Sequence, residues 1–168
     1  TYLVDGTSTW YYLQGPRPGA NGVWRGTMFR SAWNGSANSL TAVGEATATP
    51  TGPDAFTWTW TLDGQTGSEP LSALGRGCPT IGGQQVNASG HWFDPARAGS
   101  GYSVQLFPNY EFYTVFGYDA RGVPRYLLAE RNSAGAATES LPLGQNAGFC
   151  PLCARNGDPS RTQVGTIE

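Results

Sequence analysis

The residues best suited to bond-making chemistry are few. There is one histidine, His91, in "SGHWFDP", and there are three cysteines, Cys78, Cys150 and Cys153, the last two in "CPLC". Serine, histidine and aspartate are all present, so inventory alone allows a nucleophilic triad. His91, however, adjoins Trp92 in a stretch that reads as a strand, and the chain has no nucleophile-elbow motif. A histidine facing solvent or edging a core fits that setting better than a catalytic base. Glycoside hydrolysis needs two carboxylates at a set separation; Glu45, Glu111, Glu130 and Asp119 are available, but nothing in their spacing selects a pair. Asp5, Asp63 and Asp119 lie near turn glycines and Asp94 precedes Pro95, which are turn-building uses. Asp94 as a calcium ligand lacks a second carboxylate at loop spacing. No catalytic residue is assigned, and the expectation is a protein that is not an enzyme.

The cysteines leave several uses open. A structural disulfide, Cys150–Cys153 or one of them with Cys78, suits an oxidising extracellular setting. The odd count leaves one thiol free or paired with another chain. Three cysteines with His91 have the donor types of a zinc site, but no second Cys-x-x-Cys or paired histidine supports one. A redox pair at "CPLC" lacks a following helix to lower a thiol pKa. No metal and no cofactor are expected.

Charge narrows the partners. All ten cations are arginine, and lysine is absent. Schiff-base chemistry, a phosphate-loop lysine and a lysine–asparagine isopeptide staple are therefore impossible within the chain. The net charge is −2 and only 13% of residues are charged, which gives no footprint for nucleic acid and no polybasic patch for a membrane. No apolar run approaches the ~20 residues of a membrane helix, so no transmembrane segment is expected, and no signal peptide is visible.

What remains is aromatic. "FTWTWTL", Phe56 to Leu62, alternates large apolar groups with threonine, the period of a half-buried strand. Alternation and turn signals predict further strands at Trp10–Gln14, Gly22–Arg30, Leu40–Thr49, Ser68–Leu74, His91–Phe93, Tyr102–Phe107, Glu111–Tyr118, Pro124–Glu130, Thr138–Leu143 and Thr162–Glu168. No segment reads as a helix. Trp33, Trp58, Trp60, Trp92 and Tyr102 are the candidate ligand-binding rings, with packing in a core or its rim as the plainer use. Trp33 stands apart, because it adjoins the Asn34-Gly35 turn signal, where an exposed ring implies contact with something.

Two long stretches match each other. "GTSTWYYLQG" from Gly6 aligns with "GVPRYLLAER" from Gly122, and "RGTMFRSAWNGSANSLTAVGEA" from Arg25 aligns with "AGFCPLCARNGDPSRTQVGTIE" from Ala147. The alignment implies a repeat of about 115–120 residues, with residues 1–78 the later part of one unit and 79–168 the earlier part of the next. About eight short strands per unit suggest an all-β, antiparallel up-and-down barrel, since closure removes sheet edges. The small residues of Leu40–Thr49 would then face the rings across its interior.

"GHWFDPARAGSGYSVQLF", followed by an aromatic strand and "YDARGVPRYLLAE", resembles a repeat domain of secreted proteobacterial proteins. The shared pattern is Gly-x-Trp-aromatic-Asp/Asn-Pro-x-x-x-Gly-x-Gly and then Tyr-Asp-x-x-Gly-x-Pro. The resemblance runs from Gly90 to Glu130 and implies an extracellular or cell-surface location without an activity. If one barrel is complete and a second partial, strands from Pro124 onward are surplus and need a neighbouring chain. Sharing strands in this way builds open, head-to-tail polymers. The leading expectation is thus a secreted structural subunit of a fibre or surface assembly that self-associates into filaments, with Cys78 able to lock the junction. The alternatives are a glycan- or small-molecule-binding module, and a non-catalytic accessory domain of a longer secreted hydrolase.

Overall fold

The structure is a computed structural model and describes residues 6–97, 99–132, 140–148 and 160–168. Thirteen strands and no helix occur among the described residues. Five strands form one sheet in chain order: β1 (Tyr12–Gln14), β2 (Trp24–Trp33), β3 (Asn38–Gly52), β4 (Ala55–Leu62) and β5 (Gln65–Ser72). A small hairpin of β6 (Thr80–Ile81) and β7 (Gln84–Gln85) follows, turning at Gly82-Gly83. Six strands form the other sheet, again in chain order: β8 (Gly90–Trp92), β9 (Gly101–Phe107), β10 (Tyr110–Tyr118), β11 (Pro124–Arg131), β12 (Leu141–Ala147) and β13 (Ser160–Ile167). The paired strands run antiparallel, so the protein is all-β with antiparallel sheets.

The described residues divide into two compact units. One holds residues 6–10, Trp33–Asn38 and the described residues from Gly75 onward; the other holds Tyr11–Ala32 and Ser39–Leu74.

In the five-stranded unit, register explains the ring-and-threonine alternation. Trp60 stands opposite Ala46 on β3 and Gly67 on β5, and Trp58 stands opposite Ala48 and Glu69. Rings and small residues are therefore side-by-side neighbours on one face, not facing walls of a barrel interior. Trp60 lies on Gly67 so closely that a Cβ there would come 2.2 Å from Cζ2, and Trp24 covers Gly26 so closely that a Cβ there would fall 2.5 Å from the indole ring. Trp24 also stacks on Trp58, centroids 6.1 Å apart and planes within 8°. The indole of Trp60 donates to Glu69 Oε1 at 3.0 Å. Met28, Ala46 and Leu62 are buried here.

The six-stranded unit buries Leu106, Ala129 and Leu141, and with them Glu111. Glu111 lies between Leu106 and Arg131 in the ladder. Its carboxylate accepts hydrogen bonds from Arg131 Nε and, at 3.0 Å, from the Tyr113 hydroxyl. Glu130 accepts from the Tyr110 hydroxyl and, at 2.8 Å, from Arg161. Burial, reinforced by these carboxylate bonds and partly opposed by the arginines, pushes Tyr113 and Tyr110 up to about 12. The two glutamates whose spacing assigned them no role are thus held in the sheet, each by one arginine and one tyrosine.

The expected closed barrel does not form: among the described residues, neither large sheet joins its own first and last strands. In the five-stranded sheet the reason is local. β1 has three residues, ends before the Gly15-Pro16-Arg17-Pro18 stretch, and is no match for the eight-residue β5. Proline supplies no ladder donor. β5 itself carries Glu69 and Pro70, residues that blunt an outer strand. The strands expected to be surplus, β11 and β13, are paired within the chain, β11 with β10 and β13 with β12. Among the described residues repeat units are not shown, and much of the aligned stretch that starts at Ala147 lies outside those residues. Gly6 and Gly122 share a left-handed backbone, φ +80° and +76°, but the strand after Gly6 is the three-residue β1 at a sheet edge and the one after Gly122 is the eight-residue β11 inside a sheet.

Candidate functional site

Three turns of the six-stranded unit frame one cleft, and each is closed by a single Asx side chain. In the β10–β11 turn, Asp119 Oδ1 accepts from the backbone N–H groups of Arg121 at 2.9 Å and Val123 at 3.0 Å. Its Oδ2 accepts from Arg125 at 2.8 Å and Arg121 at 3.3 Å. Burial of the carboxyl acts to raise its pKa, but the two backbone donors and the arginines outweigh it and hold Asp119 below the ordinary carboxylate value. In the β8–β9 loop, Asp94 Oδ1 accepts from Ala96 N at 2.9 Å, and Arg97 N donates to Asp94 O at 2.9 Å. In the β2–β3 turn, Asn34 Oδ1 accepts from Ser36 N at 3.0 Å and Ala37 N at 2.8 Å.

The cleft between them has a volume of about 940 Å³, within the roughly 300–1,000 Å³ range of small-molecule sites. Its aromatic wall is Trp33 against Tyr118, centroids 6.3 Å apart and planes at 29°. Trp10 braces Tyr118 edge-on at 5.5 Å and donates from its indole to Gly117 O at 3.2 Å. The Tyr118 hydroxyl meets Asn38 Oδ1 at 3.2 Å. Trp33 is fixed through its backbone: its N–H donates to Gly122 O at 3.1 Å, and a Cβ on Gly122 would fall 1.8 Å from the Trp33 carbonyl oxygen. Gly122 thus serves twice, once for a left-handed turn and once for close approach. Arg97, Arg121, Ser36 and Ser100 supply polar groups around the cleft.

The rings proposed from sequence separate into three settings. Trp33 lines the cleft. Trp58 and Trp60 belong to the five-stranded unit, where Trp60 lies on Gly67 and Trp58 stacks on Trp24. Trp92 and Tyr102 are cross-strand partners on β8 and β9, both more than half exposed, next to the still more exposed Phe93. His91 is exposed on β8. Cys78 is half-buried and its thiol is free among the described residues; Cys150 and Cys153, and with them the disulfide and zinc readings, lie outside the described residues, as does Asp5. Among the described residues no three metal-ligating side chains come together, and no helix is long and apolar enough to cross a membrane.

Sequence reasoning passed over Tyr118, Arg97 and Arg121. Their signal was present in "DPARAGSG" and "YDARG", two Asp-led turns inside the stretch from Gly90 to Glu130. Nothing in the sequence said that both turns and Trp33 meet. The site and fold define a class, an all-β antiparallel protein with a loop-built cleft. Beyond that class, the chain matches no protein-family model, no curated protein and no solved structure.

Proposed function

We propose that the protein is an extracellular or cell-surface binding module that holds a sugar ring, or a small ring-shaped polar molecule, in the Trp33–Tyr118 cleft. The observation that carries this reading is the pairing of a braced aromatic wall with three independently closed turns. An aromatic face offers area to the C–H side of a ring at little conformational cost, and turns fixed in advance lower the ordering cost of binding. The extracellular setting draws on the resemblance of Gly90–Glu130 to secreted repeat domains. No residue is given a catalytic role.

The test is a glycan-array screen followed by tryptophan-fluorescence titration of the hits. The expected result is saturable binding that Trp33→Ala abolishes and Trp92→Ala retains, with circular dichroism unchanged in both. Absence of any saccharide hit, or equal binding by Trp33→Ala, overturns the reading.

A second reading, self-association into filaments, draws on the outer strand β13, which is eight residues long and hydrogen-bonded along one side only among the described residues. Such edges are templates for pairing with another chain. Sedimentation velocity over a wide concentration range tests it; a single monomeric species at the highest concentration ends it.

A further inference from the structure

We infer that the cleft selects ring ligands carrying a carboxylate, of the uronic-acid type, over their neutral counterparts. This rests on the cleft being a sugar site and adds the chemistry that it prefers.

The basis is the balance of donors and acceptors around the cleft. Asp119 is the one carboxylate among the described lining residues. Its charge is already matched: two backbone donors hold Oδ1, and Arg125, only 13% exposed, holds Oδ2 at 2.8 Å. Arg121 reaches that same oxygen from 3.3 Å while its side chain stays 74% exposed. Arg97 stands 3.7 Å from Asp94 Oδ2, beyond hydrogen-bond range, and is 82% exposed. A guanidinium has five N–H donors, no acceptor and a permanent charge. Two such groups therefore border the cleft with most of their donors unused among the described residues.

A neutral sugar hydroxyl both donates and accepts, and it meets a guanidinium with only half of its capacity. A carboxylate accepts only, and it matches the guanidinium fork two bonds at a time. The chain as a whole carries −2, so the cationic rim is local and does not reflect general basicity. Trp33 and Tyr118 receive the ring, and Arg97 and Arg121 receive its charged substituent.

The experiment compares neutral cello-oligosaccharides with the same oligosaccharides oxidised at C6 to uronates, titrated calorimetrically into the protein. The uronate series is expected to bind roughly tenfold tighter at low salt, with the gap closing as sodium chloride is added, because the arginines are exposed and screened. The double variant Arg97→Gln/Arg121→Gln is expected to lose the preference. Equal affinity of the two series overturns the inference and leaves the sugar-site reading intact. A preference that survives in the double variant also overturns it. Binding of neither series overturns both.

Discussion

Tryptophan does different work in the two units. In the five-stranded unit Trp24 and Trp60 press on Gly26 and Gly67 and Trp58 stacks on Trp24, so these rings spend surface within the sheet. In the six-stranded unit Trp33 and Tyr118 stand at the ends of strands, braced from behind and bordered by loops. What sets the two apart is the neighbour. A glycine on the same strand or the next lets a ring lie down on the backbone, whereas a turn closed by its own side chain leaves a ring standing beside open space. The lesson is that ring content alone does not mark a site; the residue beneath each ring does.

Cutting the polar anchor of the six-stranded unit should have the greatest consequence. Glu111→Ala leaves Arg131 and Tyr113 without their buried partner, and a loss of about 3–5 kcal/mol is expected, read by urea denaturation. A loss below about 1 kcal/mol would show that apolar packing, as in the other unit, carries this sheet as well. Gly122→Ala comes next. It places an L-residue at φ +76° and a methyl against the Trp33 carbonyl, at an expected cost of about 2–3 kcal/mol. It should also move Trp33, seen as a changed tryptophan emission spectrum.

Two glycines sharpen the contrast directly. Gly67→Ala drives a methyl into the Trp60 ring and should cost about 1–3 kcal/mol. Gly117→Ala meets nothing within 4 Å and should stabilise by about 0.5 kcal/mol through the lower entropy of the unfolded chain. Thermal melts of the pair should move in opposite directions. Alkaline titration gives the smallest signal. Tyr110 and Tyr113 have folded pKa values pushed up to about 12 from the ordinary tyrosine value of 10.0. Their contribution to stability is complete below pH 10 and is lost as pH rises through about 12. Tyrosinate absorbance should therefore show a late-titrating fraction that Glu111→Gln shifts to lower pH; a uniform titration near 10 would contradict the tyrosine–glutamate hydrogen bonds.

Much of the fold was legible because strand alternation is a local property. The rings of Phe56–Leu62 and the glycine turns at Asp63-Gly64 and Gly122 mark their strands from sequence alone. β6 and β7 were not legible, since two residues cannot display a period. Closure was not legible either. Rings on one strand and small residues on the next satisfy a barrel interior and a flat ring-on-glycine face equally, and only the pairing of distant strands decides between them. The site was half legible: Trp33 stood out beside its turn, but its meeting with Arg97, Tyr118 and Arg121 is a long-range event that no local pattern encodes.

The three Asx-closed turns have an evolutionary consequence. Each latch is made by one side chain to backbone N–H groups within its own turn, so Ser36, Ala96 and Ala120 can change identity without releasing any of the three. Under the proposed binding role, recognition could then drift one loop at a time on a frame that stays put, and closely similar chains would be free to acquire different tastes in ligand while keeping the same architecture.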